Sequence, residues 1–124
     1  MTKAEKGEVV GKIVLVVEDE FFIAIELESA LTKAGFKVLG PASSVNQALG
    51  LLRKQRPDAA VLDVTLGSEK VTPVAQLLKS WGVPFILASA SDPAELARYT
   101  VLAGVLNLGK PTDMKHLVEV VRSL

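Results

Sequence analysis

Five short apolar runs, each followed by a stretch of helical period, set the tightest limit on what this chain can fold into. Residues 13–17 read Ile-Val-Leu-Val-Val, an unbroken apolar run rich in β-branched side chains. Such a run, with no polar alternation, suits a strand covered on both faces of a parallel sheet. It stops at three consecutive acids, Glu18-Asp19-Glu20, and the period then changes. Across 21–34, Phe21, Ala24, Ile25, Glu28 and Leu31 recur at spacings of three and four and predict a helix, which Gly35 ends.

The unit repeats. A second strand is predicted over 36–40, and Ser43 or Ser44 caps a helix over 45–55 carried inward by Val45, Ala48, Leu49 and Leu52. Residues 59–62 (Ala-Ala-Val-Leu) give a third strand that ends at Asp63, followed by a loop containing Gly67. Thr72-Pro73 predicts an N-cap and a first-turn proline for a helix to Trp81. A fourth strand over 84–88 ends at Ser89, and Asp92-Pro93 starts a short helix ending near Thr100. Residues 104–108 form a fifth strand weakened by Asn107. After Lys110-Pro111, Thr112 caps a last helix whose core face is Leu117, Val118 and Val121. Alternation of this kind predicts a parallel sheet with helices on both faces, and chemistry gathered at the carboxyl ends of the strands.

Composition narrows the chemistry. Acids and bases number 14 each, so no general attraction to nucleic acid is expected. There is no cysteine and only one histidine, His116, which excludes disulfides, thiolate catalysis and histidine- or cysteine-rich metal sites. The apolar runs are too short to cross a bilayer, and residues 1–11 lack the apolar centre of a signal peptide. That segment reads as a flexible tail before a single domain over 12–124, in a protein expected in the cytoplasm. The last helix reaches residue 124, so no attached output domain is expected.

Asp19, Asp63, Ser89 and Lys110 each follow a predicted strand. Topology should bring them to one rim of the sheet, with Glu18 and Glu20 beside the first. Clustered carboxylates repel and raise one another's pKa unless a cation sits among them. Mg²⁺ favours such an all-oxygen setting. Glu20 reads more simply as a first-turn surface acid. His116 reads as a surface or half-buried structural histidine on the last helix, and Trp81 as a packing residue.

The segments Val16-Val17-Glu18-Asp19-Glu20, Leu62-Asp63-Val64-Thr65-Leu66-Gly67, Ala88-Ser89-Ala90 and Lys110-Pro111 together resemble the receiver domains of two-component response regulators. The resemblance covers nearly everything after the tail. It implies a flavodoxin-like (βα)5 fold, a five-stranded parallel sheet in the order 2-1-3-4-5. Asp63 resembles the phosphoacceptor that receives a phosphoryl group from a sensor histidine kinase. Glu18, Asp19, Asp63 and the backbone carbonyl of Thr65 resemble the set that holds Mg²⁺ (or Mn²⁺). Lys110 resembles the lysine that pairs with the phosphoryl group, and Ser89 the hydroxyl that moves toward it. The resemblance also implies a cis bond at Lys110-Pro111. It further implies output, and homodimerisation where it occurs, through the fourth helix, fifth strand and fifth helix. Such a domain catalyses only its own phosphorylation and dephosphorylation. Gly40-Pro41, Leu66-Gly67 and Gly82-Val83-Pro84-Phe85 most resemble small single-domain receivers of alphaproteobacteria that work with HWE-type kinases.

Two departures stand out. Glu18 replaces the commoner aspartate, and Asn107 stands where the family usually has Tyr or Phe, three residues before the lysine. The second supports an alternative, a phosphorylation-independent binding adaptor that kept the fold. A cofactor-binding flavodoxin-like domain is disfavoured, because no glycine-rich phosphate loop follows the first strand.

Overall fold

The computed structural model describes residues 11–124, so the expected tail falls outside the described residues except for Gly11. The elements are β1 (Ile13–Val17), α1 (Phe21–Lys33), β2 (Lys37–Ala42), α2 (Val45–Lys54), β3 (Ala59–Leu62), β4 (Thr65–Leu66), β5 (Glu69–Lys70), α3 (Thr72–Ser80), β6 (Phe85–Leu87), α4 (Pro93–Leu96) and α5 (Met114–Arg122). Four strands pair in parallel in the order β2-β1-β3-β6. The fifth position is held by a single parallel bridge, Leu87 to Asn107. The predicted order therefore holds, with its last strand reduced to one bridge.

Strand alternation explains the layers. Successive side chains of a strand point to opposite faces. Leu15, Val17, Ala60, Leu62 and Leu87 pack on one side with Val45, Ala48 and Leu52 of α2, Val74 and Leu78 of α3, and Leu96 of α4. Val14, Val16, Val61 and Ile86 pack on the other with Leu27 and Leu31 of α1 and Leu117 and Val121 of α5. β1 and β3 are buried on both faces, which is why their sequences are continuous apolar runs.

Several local expectations are corrected. The inward stripe of α1 is Ala24, Leu27 and Leu31. Phe21 is 67% exposed and Ile25 44%; Ile25 follows Ala24 by one residue and is turned about 100° off the stripe. Val71, not Thr72, precedes the first turn of α3. Val71 is fully buried and its amide donates to Val64 O at 2.8 Å, so packing fixes the helix start one residue early. Asp113, not Thr112, caps α5, accepting from the amides of Lys115 and His116. Thr112 Oγ1 donates instead to Gly109 O at 2.6 Å. Asp92 and Ser44 cap as predicted.

The loop after β3 is a small antiparallel hairpin, β4-β5, pairing Thr65 with Lys70 and Leu66 with Glu69. Gly67 begins its tip at φ 63°, a left-handed conformation that favours glycine. Both Lys110-Pro111 and Gly40-Pro41 are cis.

Candidate functional site

Parallel strands aim their carboxyl ends the same way, so the residues following them meet at one rim. The amide of Asp63 donates to Val17 O at 2.8 Å, and that of Glu18 to Ala42 O at 2.9 Å. These bonds extend the ladders by one residue and fix the two acids side by side. The rim encloses a pocket of about 290 Å³ lined by Asp19, Asp63, Thr65, Ser89 and Lys110, with Glu20 at its edge. All four strand-end residues predicted to converge do so.

Asp63 is 7% exposed. Its Oδ1 accepts from the Val64 amide at 2.8 Å and its Oδ2 from Lys110 Nζ at 2.9 Å. Lys110 reaches on to Glu18 Oε2 at 3.2 Å and lies 3.7 Å from Glu20 Oε1. Burial works against the Lys110 charge, but hydrogen bonds to Asp63 and Glu18 and their negative charge outweigh it. Its pKa is held above the ordinary lysine value.

Glu18 is the most deeply set acid, 1% exposed, beneath the pocket. Burial first, and then the Asp63 charge, push its carboxyl up to about 7, against the Glu20 amide and Lys110, which lower it. Its Oε2 accepts from the Glu20 amide at 3.1 Å. Oε1 lies 3.1 Å from Lys110 Nζ but off hydrogen-bonding angle, and has no hydrogen-bond partner among the described residues. Asp19 is exposed, and its Oδ2 accepts from the Gly67 amide at 2.9 Å, tying the hairpin tip to the end of β1.

Ligand oxygens of Glu18, Asp19 and Asp63 lie within 4.8 Å of one another. An all-carboxylate set, one of whose oxygens is buried without a hydrogen bond, fits a hard divalent cation of the Mg²⁺ type. Among the described residues one lysine, Lys110, pairs with this cluster, which leaves three acids with excess negative charge that such an ion would offset.

Some contributors escaped sequence reading. Lys70 donates to Thr65 Oγ1 at 2.7 Å and pairs with Glu95 at 3.2 Å, so the hairpin is strapped to the start of α4 beside the pocket. Glu69 accepts from the Val45 amide at 2.9 Å, tying the same hairpin to α2. Nothing in residue type announces these partners, because they depend on the hairpin. Asn107 was visible as an odd residue, but not what it holds. Its Oδ1 accepts from the amides of Ser89 and Gly109, each at 3.0 Å.

These features define a class: a doubly wound α/β domain with an acidic, lysine-bearing pocket at the carboxyl ends of its strands. Residues 14–122 match the response regulator receiver domain, and the chain belongs to that family of two-component signalling domains. It is similar to the chemotaxis protein CheY of Thermotoga maritima, 26% identical over 117 residues that cover 92% of this chain and 98% of that protein. It is 32% identical to the sensory transduction protein LytT of Bacillus anthracis over 112 residues, 88% of this chain but only 45% of LytT. Among solved structures, the receiver domain of the Erythrobacter litoralis response regulator PhyR superimposes with a TM-score of 0.81 at 25% identity, covering 94% of this chain and 92% of that one. A CheY-like receiver from Methanospirillum hungatei gives 0.80 at 19% identity over 91% and 92% of the two chains, a likeness of fold alone. Receiver domains interact with histidine kinases and downstream partners. Among the described residues no helix is long and apolar enough to cross a membrane.

Proposed function

We propose that this chain takes a phosphoryl group from a phosphohistidine of a sensor histidine kinase onto Asp63, and that the acyl phosphate shifts its surface toward a form read by a protein partner. The observation that carries this reading is the Asp63 carboxylate itself. It lies nearly buried at the pocket floor, 2.9 Å from a lysine ammonium and within 4.8 Å of two further acids.

In the transfer, an Asp63 oxygen attacks phosphorus as the phosphorus–nitrogen bond of the donor breaks, and the imidazole leaves with that electron pair. Glu18, Asp19, Asp63 and the Thr65 backbone carbonyl would hold Mg²⁺ or Mn²⁺, which would neutralise charge on the phosphoryl oxygens. Lys110 moves its hydrogen bond from the carboxylate to a phosphoryl oxygen. Ser89, 2% exposed at the pocket wall, supplies its hydroxyl to another. The chain thus catalyses only the formation and loss of its own acyl phosphate, and meets its kinase in the cytoplasm. The output face comprises α4, the segment around Leu106, which is 52% exposed, and α5. The same face would serve a homodimer.

The test is incubation with Mg²⁺ and acetyl phosphate, followed by intact mass. One labile phosphoryl group is expected on the wild type, and none on Asp63→Asn or in the presence of chelator. An unmodified wild type, under conditions that label a control receiver, would favour a phosphorylation-independent adaptor.

A further inference from the structure

Asn107 makes four hydrogen bonds with its side-chain amide, all to backbone. Oδ1 accepts from the amides of Ser89 and Gly109, each at 3.0 Å. Nδ2 donates to Ser89 O at 3.1 Å and Ser91 O at 3.3 Å. Both backbone polar groups of Ser89 are therefore held by one side chain. The same bonds account for the arrest of the fifth strand. Leu87 exchanges bonds with Leu106 O and the Leu108 amide, each at 2.9 Å. The next rung would use the Ser89 amide, and the Asn107 side chain takes it instead. Asparagine is suited to this competition, because its short amide carries a donor and an acceptor at backbone spacing.

We propose that Asn107 is a positioning residue for Ser89. It clasps the 89–91 loop to the 107–109 segment, so that the Ser89 hydroxyl turns from Ser91 toward Asp63 by rotating about its own side-chain bond while its backbone stays in place. The hydroxyl is now engaged with Ser91, which lines the same pocket. Ser89 Oγ donates to Ser91 Oγ at 3.0 Å and accepts from the Ser91 amide at 3.0 Å. Leaving those two bonds needs only a rotamer change, whereas moving the loop would break the clasp. The inference rests on the phosphoacceptor reading for its consequence, but the clasp can be read without it.

Two measurements test it. Amide hydrogen exchange is followed at Ser89 and Gly109, with Ala88 and Leu108 as neighbours whose bonds are to backbone. Asn107→Ala should raise exchange at Ser89 and Gly109 by roughly tenfold or more and leave Ala88 and Leu108 protected. Asn107→Leu, close in volume, gives the same readout should the alanine variant fail to fold. Unchanged exchange at Ser89 overturns the clasp. So does loss of protection at Ser89 and Gly109 when the wild type is phosphorylated.

The second measurement is a double-mutant cycle on the rate of labelling by acetyl phosphate. Asn107→Ala should slow labelling by roughly fivefold in the wild type and by less than about twofold in Ser89→Ala, because it acts through Ser89. Equal losses in both backgrounds overturn the positioning role. A wild type that takes no label refutes the phosphoacceptor reading separately, and exchange in the unmodified protein then decides the clasp.

Discussion

Lys110 Nζ lies 2.9 Å from Asp63 Oδ2, and the lysine side chain is only 17% exposed. An ion pair this sheltered behaves unlike a surface pair, because removing one partner leaves the other charge in a poorly solvated place. Lys110→Ala leaves Asp63 and Glu18 facing each other without a cation. In metal-free buffer at pH 8 the variant should lose about 3 kcal/mol of stability in urea unfolding. At pH 5 the loss should be smaller, since Glu18 is then protonated, and millimolar Mg²⁺ at pH 8 should restore part of it. Equal losses at both pH values would contradict the assigned role of the acid cluster.

The Glu18 carboxyl gives the protein a pH dependence of definite sign. Burial raises its pKa from 4.5 to about 7 in the folded state. Within that window the native protein holds a proton that the unfolded chain has released, so stability falls as pH rises through it. The full effect is on the order of 3 kcal/mol. Metal-free thermal melts from pH 4.5 to 8 should show this decline, and Glu18→Gln should flatten it. At the proposed metal site Mg²⁺ would compete with the Glu18 proton, so chelator should lower the melting temperature markedly at pH 8 and little at pH 5.5.

Asp19 offers a test of the proposed metal binding apart from folding. It is exposed, and its one hydrogen bond among the described residues, from the Gly67 amide at 2.9 Å, is one that an asparagine oxygen can also accept. Asp19→Asn should therefore unfold within about 0.5 kcal/mol of the wild type. Its apparent Mg²⁺ affinity, read from the concentration dependence of the melting temperature, should fall on the order of tenfold or more. Unchanged Mg²⁺ stabilisation would remove Asp19 from the ligand set.

Much of this was legible in the sequence because strands buried on both faces write themselves as apolar runs. The residue just past each run had to lie at the rim, and Asp19, Asp63, Ser89 and Lys110 do. Legibility failed where a side chain overrode a local pattern. The helical spacing of Phe21 and Ile25 fits an inward stripe as well as that of Leu27 does, and only packing against Val14 and Val16 decides between them. Thr112 resembles a cap, yet its hydroxyl turns back to Gly109, and Asp113 takes the helix. Asn107 weakens a strand on propensity alone. That it ends the strand by taking the Ser89 amide requires knowing which residue lies across from it.

Gly40 shows how the backbone sets the depth of the site. It sits in β2 at φ 101°, where the register against β1 shifts between Leu15 and Val17. A Cβ there would lie 2.8 Å from Ala42 N and 2.9 Å from Val16 O, both backbone atoms that cannot swing aside. The shift brings Ala42 O to the Glu18 amide at 2.9 Å, and so holds Glu18 beneath the pocket. Gly40→Ala combines left-handed strain with overpacking and should cost about 3 kcal/mol in urea unfolding. Because the relief available is a movement of Ala42, Mg²⁺ affinity should fall in the same variant although no ligand has changed. A substitution of similar cost outside the β1–β2 pair, such as Leu117→Ala on the buried face of α5, should leave Mg²⁺ affinity of the folded protein unaltered. Comparable affinity losses in the two variants would show that general destabilisation, and not the β1–β2 register, sets the position of Glu18.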